Sequence, residues 1–112
     1  MRQVLLSAAM MPSAGAYRIW PISVERFTQA IREANDLESY IGYPTTQVVL
    51  ETLCGFPVPS QGRKMVVLSE PTRFLVMKLG YRIQNPTEKA MNTHGTKVED
   101  FEFYEGQFEP FE

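Results

Sequence analysis

The stretch Thr72–Ile83 constrains the fold more than any other. It runs from Pro71 to the Asn85-Pro86 pair without a proline and is dense in aliphatic and aromatic residues. That composition reads as one long β-strand. On a strand, side chains alternate between faces, so Leu75, Met77, Leu79 and Tyr81 point one way and Phe74, Val76, Lys78, Gly80 and Arg82 the other. Lys78 and Arg82 then share a face about 13 Å apart. Gly80 between them leaves room for close approach to the backbone.

The rest of the chain falls into short elements around this strand. Gln3–Met10 reads as a buried strand, Met11–Tyr17 as a loop, and Tyr17–Ile22 as a short strand that Pro21 confines to a sheet edge. Ser23 is a good N-cap for a helix over Val24–Ala34, in which Phe27, Ala30, Ile31 and Ala34 recur at helical spacing. Glu38–Pro44 reads as a turn. Thr45 or Thr46 would cap a second helix that buries Val48, Val49, Thr52 and Leu53, ends at Cys54, and is stopped by Gly55 and the following prolines. Lys64–Ser69 would pair with the long strand through a hairpin turn at Glu70-Pro71. Thr87–Asn92 could form a turn of helix, and Val98–Tyr104 a closing strand. Phe101, Phe103 and Tyr104 do not follow one strict alternation, so at least one ring is expected to be exposed or at an interface. These elements predict an α/β fold: a mixed sheet with short helices packed on it, in a single small domain over residues 1–105. Residues 106–112 would form an acidic, aromatic surface tail.

Composition removes several classes of function. With 112 residues there is room for one domain and one core. No apolar run approaches the ~18 residues of a membrane span, and the opening residues lack the apolar core of a signal peptide. A single cysteine, Cys54, excludes an internal disulfide framework and a cysteine-based zinc site and fits a small core residue. The reading is a soluble, cytoplasmic protein without metal or cofactor. The net charge of −2 hides an asymmetry: Arg63, Lys64, Arg73, Lys78 and Arg82 face only Glu70 in their stretch, whereas the segment from Val98 to Glu112 holds six acids and no cation. A pI near 5.4 argues against coating nucleic acid, yet a local basic strip can hold a small polyanion.

Two places attract attention by pattern. The basic strand face is either a solvated surface or a phosphate-binding one, since arginine suits two-point phosphate contacts. The turn Ser39-Tyr40-Ile41-Gly42-Tyr43-Pro44-Thr45-Thr46 enters a helix, where backbone and dipole favour anions, although most helix starts are merely capped. The Met10-Met11 pair fits packing better than a cofactor contact.

That turn, followed by Leu53-Cys54-Gly55, resembles the S-x-I-G-H-x-x-T…L-x-G signature of the viral ring nucleases, small type III anti-CRISPR proteins of archaeal viruses and bacteriophages. Leu6-Ser7-Ala8-Ala9, Arg63, Tyr81-Arg82 and Gly95-Thr96-Lys97-Val98 follow in the family's order, so the resemblance spans nearly the whole chain. It implies a viral homodimer, active in the infected cell, that holds cyclic tetra-adenylate across its two-fold axis. Arg82 and Lys78 would bind phosphates from both subunits. Ala8, Ala9, Met10 and Met11 at the end of the first strand, with Gly42 and Tyr43 in the turn, would line the ligand. Residues 85–95 would close over it.

In this family the reaction uses no metal. A ribose 2′-hydroxyl attacks the adjacent phosphorus, a histidine in the I-G-H turn protonates the departing 5′-oxygen, and a glutamate three positions after the arginine assists. This chain departs at both catalytic positions, with Tyr43 for the histidine and Asn85 for the glutamate, and Ala8 replaces a common asparagine. The expectation is a binder with weak or absent ring opening. Alternatives are an active nuclease using Tyr43 or His94, the only histidine, and a DNA-binding viral regulator using the basic strip.

Overall fold

The computed structural model describes residues 1–7, 14–62, 66–80 and 97–111. Its elements are β1 (Arg2–Leu6), β2 (Gly15–Pro21), α1 (Val24–Glu33), β3 (Glu38–Ser39), α2 (Pro44–Cys54), β4 (Thr72–Leu79) and β5 (Phe101–Pro110). A single 3-10 turn, Val98–Asp100, leads into β5. Among the described residues the sheet has five strands in the order β2-β5-β4-β1-β3. β1 is parallel to both β3 and β4, and β5 is antiparallel to both β4 and β2. The fold is α/β, with a mixed sheet and, among the described residues, two α-helices in one domain.

α1 forms as its sequence directs. The Ser23 hydroxyl accepts from the Arg26 N–H at 3.1 Å, capping the first turn. Phe27 and Ile31 are buried on one side. The Phe27 ring packs at 4.6 Å, tilted, against Phe103 of β5. α2 ends on Gly55 at φ 77°, a left-handed stop that glycine accepts without strain. Its start differs from expectation. Tyr43 is the N-cap and Pro44 fills the first helical position, so Thr45 and Thr46 lie inside the helix and are buried. The buried face then rotates: Val49, Leu50 and Cys54 point inward, while Val48 and Thr52 are exposed.

β4 is packed on both faces over most of its length. Leu75 and Met77 join the helices, Leu5, Phe101 and Phe103 in one core. Phe74 and Val76 join Val4, Leu6, Val66, Leu68 and Phe108 in a second core on the opposite face. The expected alternation holds, and β5 follows it too: Phe101 and Phe103 serve the first core, Phe108 and the half-buried Tyr104 the second.

Several expectations are corrected. No hairpin forms at Glu70-Pro71. Residues 66–69 are irregular, and β4 takes its partners from β1 and β5. β1 ends at Leu6 and β4 at Leu79, both earlier than expected. β5 runs straight through the expected boundary at residues 105 and 106 to Pro110, so residues 106–110 are sheet and not a surface tail. Phe108 is only 1% exposed, which explains why that segment is held. Pro21 lies at the edge as read: β2 is an outer strand. The expected helical turn at residues 87–92 lies outside the described residues.

Candidate functional site

β1, β3 and β4 are parallel, so their carboxyl ends meet at one end of the sheet. β1 lies between the other two and is followed in space by β3 on one side and β4 on the other. In open α/β sheets, ligands usually bind beyond the carboxyl ends of the strands. The Tyr40 N–H donates to the Leu5 carbonyl at 2.9 Å, which ties the chain after β3 to the end of β1. From there Ile41, Gly42 and Tyr43 lead directly into α2. The positive end of that helix dipole therefore faces this end of the sheet, and its first turn holds no acidic residue to offset it.

Ser60 holds this turn in place. Its hydroxyl donates to the Ile41 carbonyl at 2.5 Å, and the Gln61 N–H donates to Ser39 O at 2.8 Å. Farther along α2, the Gln47 side-chain amide donates to the Val58 carbonyl at 2.6 Å, and the Val58 N–H donates to the Glu51 carboxylate at 2.8 Å. The segment after α2 is thus folded back along the helix. No local pattern around Ser60 signals this role, because its partner is 19 residues away.

Of the residues singled out from the sequence, Gly42 and Tyr43 lie at this strand end, both partly buried. Lys78 is exposed near the end of β4, on the face away from the helices. It stands directly opposite Glu102 of β5, whose carboxylate accepts from the Tyr104 hydroxyl at 2.8 Å. That hydrogen bond raises the Tyr104 phenol above its ordinary value. Lys78 therefore has a carboxylate as its cross-strand neighbour. Arg73 points to the other face, where it lies 3.6 Å from Glu105. Of the five cations in the expected basic strip, the two among the described residues, Arg73 and Lys78, lie on opposite faces of the sheet. Ala8, Ala9, Met10, Met11, Arg63, Lys64, Arg82, Asn85 and His94 lie outside the described residues. Cys54 is buried in the first core, and burial pushes its thiol up. Among the described residues no cluster of histidine, cysteine or carboxylates could hold a metal ion. Nor is any helix there long and apolar enough to cross a membrane.

No protein with a curated description matches the sequence. Among solved structures, the fold is similar to B116 of Sulfolobus turreted icosahedral virus, with a TM-score of 0.70 and 19% identity. The match covers 95% of this chain and 98% of that one. At that identity the likeness concerns the fold alone. The sequence itself matches a family named after this viral protein over residues 3–104, so the chain belongs to the STIV B116-like family.

Proposed function

We propose that this protein binds cyclic tetra-adenylate across the two-fold axis of a homodimer and opens the ring weakly or not at all, so that it blunts type III CRISPR signalling by sequestration. The observation that supports this reading most is the helix entrance after β3, tied to the end of β1, where Gly42 and Tyr43 introduce α2 with no acid in its first turn. A polyanion gains there from the helix dipole and the backbone. Arg82 follows β4 in the chain and stands where the resembling family keeps its phosphate-binding arginine.

Tyr43 carries the functional argument. A tyrosine hydroxyl is a poorer general acid than a histidine imidazolium for protonating the departing 5′-oxygen. Losing a well-matched general acid costs about 10²–10⁴ in rate. Asn85 offers no carboxylate to assist. Holding the ribose hydroxyl in line with the phosphorus still accelerates attack, so slow opening to a cyclic phosphate remains in reach.

The test is to incubate labelled cyclic tetra-adenylate with protein and separate bound from cleaved material. Retention with little cleavage is expected. Arg82→Ala should abolish retention, and Tyr43→His should raise ring opening by about 10-fold or more. Absence of binding at micromolar protein overturns the reading. Rapid cleavage by the unaltered chain would make it an enzyme with Tyr43 or His94 as acid. Salt-sensitive binding of duplex DNA, without affinity for the ring, would make it a DNA-binding protein.

A further inference from the structure

Residues 55–62 form a strap that returns from the end of α2 toward its start. Gly55 and Gly62 hold left-handed backbone at its two ends, with φ of 77° and 84°, which glycine adopts without strain. Between them Pro57 and Pro59 fix their own φ and restrict the residue before each. Val58, between the two prolines, is a peg in the first core. Both of its backbone polar groups are taken by α2. The Gln47 side-chain amide donates to its carbonyl at 2.6 Å, and its N–H donates to the Glu51 carboxylate at 2.8 Å. Gln47 and Glu51 are four residues apart, so a single face of the helix supplies both contacts.

The far end of the strap meets the turn that precedes α2. Ser39 and Ser60 form a parallel bridge, and the Gln61 N–H donates to the Ser39 carbonyl at 2.8 Å. The Ser60 hydroxyl donates to the Ile41 carbonyl at 2.5 Å and accepts from the Gly62 N–H at 3.0 Å. On its other side the same turn is tied to β1 through the Tyr40 N–H, and the buried Ile41 side chain anchors it in the first core. Two residues later the Tyr43 carbonyl accepts the first bond of α2, from the Gln47 N–H at 3.0 Å. Gln47 thus acts at both places: its backbone closes the first turn of the helix, and its side chain holds the strap.

We propose that the strap is a latch that fixes the entrance of α2 in place for its ligand, with Ser60 as the positioning residue. Ser60 is exposed, so its contribution is the donor it brings to Ile41 rather than buried surface. Without that donor the turn keeps its tie to β1 but loosens from the strap. The backbone of Gly42 and Tyr43 then gains freedom that a ligand must remove again on binding, and affinity falls by that amount. The effect on affinity rests on the reading of this entrance as a site for cyclic tetra-adenylate, whereas the effect on the unliganded turn does not.

The test compares the full-length protein with Ser60→Ala, which removes the hydroxyl, and Ser60→Thr, which keeps it. Without ligand, amide hydrogen exchange in Ser60→Ala is expected to quicken about 10-fold at Gln47 and Gln61. It should stay at the wild-type rate at Ile22 and Phe27, whose amides bond to Phe103 and Ser23 away from the strap. Water can replace the hydroxyl at this exposed position, so the melt should stay cooperative. Equilibrium binding of cyclic tetra-adenylate should weaken about 10-fold. Ser60→Thr should restore both the exchange rates and the affinity. Exchange that quickens equally throughout the sheet marks general destabilisation and overturns the proposal. So does unchanged exchange at Gln47 and Gln61, a threonine variant that behaves like the alanine one, or local quickening with undiminished affinity for the ring. If the unaltered protein does not bind the ring, the function proposed above fails, and the exchange pattern still decides whether Ser60 holds the turn.

Discussion

Glu38 shows how much one side chain can carry. The Arg2 guanidinium grips its carboxylate at 2.7 and 3.0 Å, and the Tyr40 hydroxyl donates to it at 2.8 Å. The Arg2 contact is the main reason its carboxyl lies below the ordinary value of 4.5. The folded state therefore binds fewer protons there than the unfolded chain. The stabilisation is complete above the ordinary value and is lost as pH falls through the lower folded one. Thermal melts of the wild type and Glu38→Gln should differ most near neutral pH and converge as the pH falls below the lowered folded value. A gap independent of pH would sink this account. Gly106 is a steric counterpart. A β-carbon there would run into the Phe74 ring and the Arg18 carbonyl, both of which lie within contact distance. Gly106→Ala is expected to cost about 1–3 kcal/mol in urea denaturation, as overpacked cores do.

Elements fix how these side chains meet. α1 depends on its cap, and Ser23→Ala should lower stability by about 1 kcal/mol, read from the shift in denaturation midpoint. β5 matters more. Deleting residues 106–112 removes half of a strand that pairs with both β4 and β2, so the truncated chain should lose its cooperative melt. A folded truncation product would show that the segment is an appendage after all. α1 was legible because cap and period are local: Ser23, Phe27 and Ile31 sit within one short stretch. The Gly55 stop and the edge position of Pro21 were legible for the same reason. β3 was not, since two residues carry no period. The partners of β4 were hidden because parallel pairing joins distant segments, as Arg2 to Thr72. β5 was cut short because Gly106 and Gln107 resemble a loop, although Gly106 is the space that Phe74 needs. The turn at Gly42 and Tyr43 could be read as a helix entrance. That it lies beside the ends of β1 and β4 depends on pairings the sequence did not reveal.

For the molecule as a whole, the proposed function requires two copies. A ligand that spans both subunits binds only the dimer, so it must tighten the association. Sedimentation equilibrium should show a dimer whose dissociation constant falls when cyclic tetra-adenylate is added. A monomer at every concentration, with and without the ring, contradicts the proposal. The order of the sheet has another consequence. Gly15 is paired with Pro110, and the strand between β2 and β4 is the last of the five to be made. Until the ribosome has released that stretch, β2 has no neighbour and both aromatic layers lack a wall. Folding therefore waits for β5 to emerge, and a chain stopped before that strand leaves β2 unpaired and one side of β4 open.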